Sequence, residues 1–238
     1  MNILITGSSS GIGETVARRF VHAGHHVILM ARRTDLLVGL ADELNGGGQT
    51  NAVAAAGDVG VWNDCTRVVE TGTIAFGHID GLVNAAGGWV DDPLDEATAA
   101  DINRFIRTDV TGATYITRAI LPELRRNRAG RIVHINGLQG LIRQRPPVLY
   151  TMVESAVRGL CESLRWEAAT YGVQVGLITL GGVANTESDD PDPAVLKNGE
   201  RGPLLSRGEV ADAIMYMMSR PKGVNIDEMV LTPLGQTS

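Results

Sequence analysis

Short apolar runs alternate with longer helical patterns along the whole chain of 238 residues, and this alternation restricts the fold more than any other feature. The apolar runs are rich in valine, isoleucine and leucine, which pack well in buried strands. They lie at residues 2–6, 26–31, 51–56, 81–84, 131–135, 174–179 and 228–232. Strands that are apolar throughout and separated by helices are typical of a parallel sheet covered on both faces. The sequence therefore predicts an α/β protein with a doubly wound, parallel, seven-stranded sheet.

Apolar residues recur at helical spacing in most of the intervals between these runs. The helical patterns lie at residues 13–23, 35–44, 61–76, 99–121, 148–171 and 208–218. Residues from about 185 to 205 are polar and contain prolines, and we interpret them as a lid over a substrate site. Since no linker, repeat or low-complexity segment interrupts the pattern, residues 1–238 are predicted to form a single domain.

Charge and hydropathy exclude several classes of partner. The net charge of −6 comes without a long basic run, which argues against nucleic acid. No apolar run approaches the roughly 20 residues that cross a bilayer. The two cysteines, Cys65 and Cys161, lie in helical patterns, as expected for core thiols in a reducing compartment. We expect a cytoplasmic protein that acts on a small molecule, binds neither nucleic acid nor membrane, and holds no metal.

A glycine-rich turn, TGSSSGIG, follows the first predicted strand and opens the first helix. Small residues let the main chain approach a ligand closely, and N–H groups at a helix N-terminus attract phosphate. Strand, turn and helix in this order indicate a Rossmann-type dinucleotide site. The predicted cofactor-binding residues of the turn are Gly7, Ser9, Ser10, Gly11, Ile12 and Gly13.

Three further motifs follow in order along the chain: Asp58-Val59, Asn84-Ala85-Ala86-Gly87, and Tyr150 near the start of a long helix. Together with TGSSSGIG they resemble the short-chain dehydrogenase/reductase family over essentially the whole chain. The resemblance implies a homo-tetramer or homo-dimer built through the long helices. It also implies further cofactor-binding residues, namely Asp58, Val59, Asn84, Ala85, Gly87 and Val183.

Two arginines, Arg32 and Arg33, follow the second strand, where an acidic residue would bind the ribose hydroxyls of NAD. Ala31 stands at that acidic position instead. Because guanidinium groups bind phosphate well, this turn favours the 2′-phosphate of NADP(H). The sequence therefore predicts NADP(H) in preference to NAD(H). A solvated basic turn is the alternative interpretation.

The catalytic positions of the family are only partly retained. In the family, a tyrosine transfers the proton, a lysine lowers the pKa of that tyrosine, a serine binds the substrate carbonyl, and an asparagine supports a proton relay. These positions map, in the same order, to Tyr150, Glu154, Gly137 (beside Asn136) and Asp109. Since only the tyrosine is retained, the resemblance implies an altered mechanism.

Lysine is almost absent from this chain. Of the 21 basic residues only Lys197 and Lys222 are lysines, and the first 196 residues contain none. No tyrosine of the sequence is therefore followed four residues later by an ammonium group. Lys197 falls in the predicted lid.

Tyr150 and Glu154 are four residues apart and share one helix face, so both side chains are predicted to face the same site. An ionised Glu154 raises the pKa of the Tyr150 phenol above its ordinary value of about 10. Tyr150 then remains a proton donor but is a poor general base. Carbonyl reduction, which needs only an acid, is less impaired than alcohol oxidation.

Three functions stay open at this point. The first is an NADP(H)-dependent reductase of a small carbonyl or polyketide-like substrate, with Tyr150 as proton donor. The second is a non-redox lyase, isomerase or cyclase, because neighbouring carboxylates raise each other's pKa and suit proton transfer. The residues of that second mechanism are Tyr150, Glu154 and Asp109, with Asn136 and Gln139 nearby. The third is a non-catalytic protein that senses NADP(H) or binds a partner.

Overall fold

The computed structural model describes residues 1–90, 92–142, 147–184 and 204–236. Most of the predicted lid, residues 185–203 with Lys197, lies outside the described residues. Among the described residues, no helix is long and apolar enough to cross a membrane.

Seven strands form one sheet in the described part of the chain, and every neighbouring pair is parallel. The strands are β1 (Asn2–Thr6), β2 (His26–Met30), β3 (Ala52–Ala54), β4 (Gly81–Asn84), β5 (Gly130–Gly137), β6 (Val173–Leu180) and β7 (Glu228–Leu231). Their order across the sheet is β3-β2-β1-β4-β5-β6-β7. The winding reverses between β1 and β4, which is where ligands bind in open parallel sheets. The predicted doubly wound, seven-stranded sheet is confirmed.

Helices connect the strands and cover both faces of the sheet. They are α1 (Gly11–His22), α2 (Thr34–Leu44), α3 (Trp62–Phe76), α4 (Ala99–Phe105), α5 (Ala113–Asn127), α6 (Gln139–Ile142), α7 (Val148–Ala169) and α8 (Arg207–Met218). A π-helical stretch, Ile106–Gly112, joins α4 to α5. Such widened turns occur often at functional sites.

Successive residues of each strand point to opposite faces of the sheet, and this divides the core into two layers. Ile3 and Ile5 of β1 pack with α1, α2 and α8. Leu4 packs with α3, α5 and α7 on the other face. All three side chains are completely buried, as expected for a central strand of a covered parallel sheet.

The structure differs from the predicted element bounds at several places. Strand β3 is shorter than predicted and covers only Ala52–Ala54. The helix predicted to end at residue 121 continues through Pro122 to Asn127, because buried Leu124 still packs on the core. Strand β5 extends through Asn136 and Gly137, which pair with the last residues of β6. The short helix α6 was not predicted, because four residues are too few to show a helical period.

Arg158, a buried arginine of α7, connects this helix to the edge strand of the sheet through an ion pair. Its guanidinium donates to Glu228 of β7 at 3.0 Å and again through a second nitrogen. It also lies 3.3 Å from Glu162 and 3.4 Å from Thr179. The hydrogen bond from Arg158 lowers the pKa of the Glu228 carboxyl. Because the side chain of Arg158 is only 9% exposed, water cannot readily solvate the charge that remains when one partner of this ion pair is removed.

Arg158→Ala is expected to lower the free energy of unfolding by about 2–4 kcal/mol, because Glu228 loses its shielded cation. The control is Arg104→Ala, which removes an exposed ion pair with Asp101 and should cost less than about 1 kcal/mol. Denaturant unfolding at pH 7 measures both variants. Equal effects would contradict a structural role for the buried pair.

Candidate active site

Two adjoining cavities lie at the carboxyl ends of the central strands, where the winding of the sheet reverses. The larger has a volume of about 650 Å³ and the smaller about 360 Å³. Both are lined by Gly11, Ile12 and the residues from Ala85 to Gly87, so they form one continuous cleft. The predicted site residues meet in this cleft: the glycine-rich turn lines the smaller cavity, and Tyr150 and Glu154 line the larger.

The glycine-rich turn packs against its surroundings so closely that side chains are excluded at two positions. A Cβ built on Gly7 would lie 2.6 Å from the Ala85 carbonyl oxygen, and Gly7 has a φ of +67°. A Cβ on Gly13 would lie 2.6 Å from the carbonyl oxygen of Gly7. At Gly11, by contrast, no atom lies within 4 Å of the Cβ position. The turn is therefore packed tightly against the protein at Gly7 and Gly13 and is open at Gly11, as a bound pyrophosphate requires.

Arg33 lies over the start of α1 and contacts both serines of the turn. It donates to Ser9 Oγ at 2.9 Å and 3.1 Å, and to Ser10 Oγ at 2.5 Å. Ser10 is the N-cap of α1 but makes no side-chain capping bond. The first N–H groups of α1 are thus left for an anionic ligand, and the residues present fit a dinucleotide. Arg32 also lines the smaller cavity and is exposed.

Asp58 and Val59 also line the smaller cavity. The Asp58 side chain accepts from the Gly60 N–H at 2.8 Å and forms an ion pair with Arg107 at 3.1 Å. Val59 is buried. Both predicted residues therefore lie beside the glycine-rich turn, with Asp58 already fixed by partners within the chain.

Asn84, predicted to bind the cofactor, directs its side chain into a buried hydrogen-bond network. The Thr6 hydroxyl donates to Asn84 Oδ1 at 2.6 Å, and it accepts from the main-chain N–H groups of Ala85 and Ala86. Asn84 Nδ2 lies 3.2 Å from His134 Nδ1, and His134 Nε2 lies 3.1 Å from the Thr117 hydroxyl. Asn84 thus supports the loop and also lines the larger cavity, together with Ala85 and Gly87.

His134 was not predicted by the sequence reasoning. Complete burial lowers the pKa of His134 to about 4, so the ring is neutral near pH 7. The available signal was one polar residue inside the apolar run RIVHI.

The carboxyl end of β5 and the first turns of α7 bring three predicted catalytic residues together. The Gly137 N–H donates to Glu154 Oε2 at 2.5 Å. With its amide nitrogen turned toward Glu154, Asn136 donates to the same Oε2 at 2.5 Å and to the Glu154 carbonyl oxygen at 3.1 Å. The Tyr150 hydroxyl is hydrogen-bonded to the Glu154 carboxylate. Glu154 is therefore the centre of a small polar cluster rather than a free side chain.

Gly137 gives the Tyr150 hydroxyl the space it occupies. A Cβ built on Gly137 would overlap the Tyr150 hydroxyl oxygen and lie 2.8 Å from two carbons of its ring. Any side chain at position 137 must displace the Tyr150 ring from its present position. The absence of a side chain at Gly137 and the position of Tyr150 are therefore coupled.

Asp109 lies in the π-helical stretch and lines the larger cavity. Its Oδ1 accepts from the Gly88 N–H at 3.2 Å, and a Cβ on Gly87 would lie 2.8 Å from this oxygen. Its Oδ2 is buried and has no hydrogen-bond partner among the described residues. Asp109 is thus a carboxylate with a single N–H donor and an unused oxygen.

Known proteins resemble this chain in both sequence and fold. The profile of the family described as short chain dehydrogenase matches residues 1–194. The chain belongs to this family. Uncharacterized oxidoreductases of Staphylococcus epidermidis and Staphylococcus saprophyticus are 28% and 29% identical over 231 residues, which are 97% of this chain and 96% of theirs.

Solved structures agree with this family assignment over the full length of the chain. A serine dehydrogenase in its closed form, complexed with NADP+, has a TM-score of 0.89 and 29% identity, and the match covers 100% of this chain and 97% of that one. The serine dehydrogenase of Escherichia coli has a TM-score of 0.85 and 28% identity, with 100% of both chains covered.

Burial controls the protonation of this short-chain dehydrogenase site. Loss of water raises the pKa of Glu154 to about 7, against the opposing hydrogen bonds from Gly137 and Tyr150. Burial, with a smaller contribution from the charge of Glu154, raises the pKa of Asp109 to about 7. The pKa of Tyr150 lies well above the ordinary value, through burial first and Glu154 second. Tyr150 is therefore protonated at neutral pH, and Glu154 is close to half ionised.

The remaining walls of the larger cavity contain one aromatic ring and two polar side chains from the C-terminal part. The ring of Trp89 lies 4.5 Å from that of Tyr150, at 58°, and Trp89 is half exposed. Arg207 of α8 and Gln236 also line the cavity, and Gln236 accepts from the Gly182 N–H at 3.0 Å. Arg207 and Gln236 are not apparent as site residues from the sequence, because nothing in their local sequence marks them.

Two predicted site residues contribute less to the described cavity. Val183 pairs with Leu205 in a single bridge, while its neighbours Gly182 and Ala184 line the cavity. Gln139 opens α6, and only its main chain belongs to the described structure. Among the described residues, no group of three histidine, cysteine or acidic side chains is placed to hold a metal ion.

Gly137→Ala is expected to lower the free energy of unfolding by about 1–3 kcal/mol, because the new methyl group takes the place of the Tyr150 hydroxyl. Gly159→Ala, at a second glycine without a positive φ, is the matched control. No atom lies within 4 Å of its Cβ position in the middle of α7, so alanine should stabilise the protein by about 0.5–1 kcal/mol. Denaturant unfolding measures both. Stabilisation by Gly137→Ala would contradict the observed packing of Tyr150.

Proposed function

We propose that this short-chain dehydrogenase is an NADP(H)-dependent reductase of small carbonyl or polyketide-like compounds. The observation that carries the proposal is the Tyr150–Glu154 hydrogen bond, which lies in a cavity continuous with the nucleotide-binding turn. Glu154 has a pKa of about 7 and so holds a proton for part of the time at neutral pH. A proton source and a dinucleotide site in one cleft are what carbonyl reduction needs.

NADP(H) is favoured over NAD(H) by Arg33. Its guanidinium lies over Ser9 and Ser10, at the edge of the smaller cavity. Ala31 stands directly after β2, where an acidic residue would bind the ribose hydroxyls of NAD. The serine dehydrogenase with a TM-score of 0.89 was solved with NADP+, which supports the same choice. The residues that would hold the nucleotide are Gly7 to Gly13, Arg32, Arg33, Asp58, Val59 and the Ala85–Gly87 loop.

The proton would move along a short chain of residues. When bound, NADPH supplies the hydride that reduces the carbonyl carbon. The Tyr150 hydroxyl donates its proton to the carbonyl oxygen, and protonated Glu154 replaces that proton on Tyr150. Glu154, now a carboxylate, keeps the hydrogen bonds from Gly137 and Asn136 until solvent returns a proton. This order avoids a stable phenolate, which burial and Glu154 both disfavour.

A non-redox lyase, isomerase or cyclase is the second candidate. The observation that favours it is a pair of acids, Glu154 and Asp109, which line one cavity and both have a pKa near 7. Such groups can both give and take protons at neutral pH. Turnover of a substrate without any nucleotide would decide for this candidate and against the reductase.

Several expectations from the sequence stay predictions. These are a cytoplasmic location, a homo-dimer or homo-tetramer, and a small molecule rather than a macromolecule as the main partner. A non-catalytic NADP(H) sensor is the outcome to infer if the nucleotide binds tightly and no substrate is turned over with or without it.

Arg33→Ala is expected to weaken NADPH binding by about 10- to 100-fold and to leave NADH binding nearly unchanged, because a charge-assisted contact with the 2′-phosphate is worth about 1.5–3 kcal/mol. Titration of nucleotide fluorescence measures both constants. Arg104→Ala, at an exposed side chain of α4, is the control and should change neither constant. An equal loss for both nucleotides would contradict a 2′-phosphate role.

The rate of carbonyl reduction is expected to fall as the pH rises through about 7, because only protonated Glu154 can resupply Tyr150. Alcohol oxidation needs ionised Glu154 and should rise through the same range. Glu154→Gln should remove this change in rate with pH and lower kcat for carbonyl reduction at pH 6 by about 10- to 100-fold. Glu162→Gln, exposed on the same helix, should keep the wild-type profile. A Glu154→Gln profile that still steps at pH 7 would contradict the relay.

A further inference from the structure

Asp109 is a buried carboxylate whose hydrogen-bonding capacity is largely unused. The residue is 7% exposed, and one main-chain N–H, that of Gly88, is the donor to Oδ1. The other oxygen has no partner among the described residues, although an ionised carboxylate accepts several hydrogen bonds. A buried charge without donors costs free energy. Since Asp109 lines the larger cavity, a hydrogen-bond donor that enters the cavity would supply the hydrogen bond that the Asp109 carboxylate lacks.

Rotation about the last torsion of an aspartate is soft and roughly two-fold. The Asp109 carboxylate, which lines the cavity, can therefore turn toward a donor that enters it. The carboxylate does not have to leave its place in the π-helical stretch to meet a ligand.

The charges around the cavity are divided between its two sides. Its charged lining residues, in the described part of the chain, are Asp109, Glu154 and Arg207. Arg207 opens α8, which packs with α1 on the face of the sheet that carries the glycine-rich turn. Asp109 and Glu154 belong to helical segments on the opposite side, next to α5 and within α7. Among the described residues, the two acidic side chains of the cavity thus lie on one side and the arginine lies on the other.

Two aromatic rings border the acidic side. Trp89 is half exposed, and its ring packs at 4.5 Å against the ring of Tyr150. The faces of aromatic rings attract cations, and tryptophan does so most strongly. Carboxylates combined with aromatic faces form a surface that favours a positively charged nitrogen over a neutral or anionic group.

We propose that Asp109 binds an ammonium group of the substrate, so that the carbonyl compounds reduced at this site are amino ketones. The inference rests on the proposed reductase function and names its substrate class. Asp109 holds the ammonium group beside Trp89, while the carbonyl oxygen of the same molecule meets the Tyr150 hydroxyl. Asp109 is then the specificity-determining residue, and Glu154 keeps the proton relay. A keto acid would be repelled, because its carboxylate would face Asp109 and Glu154.

The first experiment compares aminoacetone with hydroxyacetone, which has the same size but no charge. Wild-type protein with NADPH should show a kcat/KM at least about tenfold higher for aminoacetone, as expected for one charge-assisted hydrogen bond. Asp109→Asn should remove this preference, and Asp42→Asn, exposed on α2, should keep it. Equal kcat/KM values for the two ketones in wild-type protein would overturn the inference and leave the reductase function standing.

The second experiment separates the cation site from the chemistry. Calorimetric titration without nucleotide compares 1-amino-2-propanol with 1,2-propanediol as probes. The amine should bind at least about tenfold more tightly to wild-type protein and should lose that advantage in Asp109→Asn. Selective amine binding with no reduction of either ketone would overturn the proposed reductase but support the cation site. Equal or absent binding of the two probes would overturn the cation site.

Discussion

The hydrogen bond from the Gly137 N–H to Glu154 is the interaction on which the rest of this site depends. It connects the last residue of β5 to the second turn of α7, at a length of 2.5 Å. Asn136 adds a second donor from the same strand end. These contacts hold the carboxylate beneath Tyr150, away from solvent, where its pKa rises to about 7. An acid that would be ionised on the surface thereby becomes a proton reservoir at neutral pH.

Gly137, Tyr150 and Glu154 depend on one another for their arrangement. Gly137 has no side chain, so the Tyr150 hydroxyl occupies that space and reaches Glu154. Glu154 in turn raises the pKa of Asp109 and disfavours a free Tyr150 phenolate. A substitution at one of these positions alone would therefore disturb the contacts made by the other two. A serine at position 137, for instance, would collide with Tyr150 before it could bind a substrate.

The strands and helices of this protein could be predicted from the sequence better than the ionisation of its site residues. Apolar runs and helical periods located all seven strands, because those signals are local. The i, i+4 spacing also predicted that Tyr150 and Glu154 share a face. The hydrogen bond from Gly137 to Glu154 spans 17 positions and depends on how α7 packs against β5. From the sequence alone an ionised Glu154 is expected, because local spacing does not reveal the burial that raises the pKa of this carboxyl.

The central claim concerns the ionisation of Glu154, and it can be measured directly. Protein labelled with carbon-13 at the glutamate carboxyls is titrated by NMR between pH 4 and pH 9, and Glu154→Gln assigns the resonance. The structure predicts that the resonance of Glu154 titrates with a pKa of about 7. A resonance that titrates near the ordinary glutamate value of 4.5 would contradict the buried Tyr150–Glu154 relay.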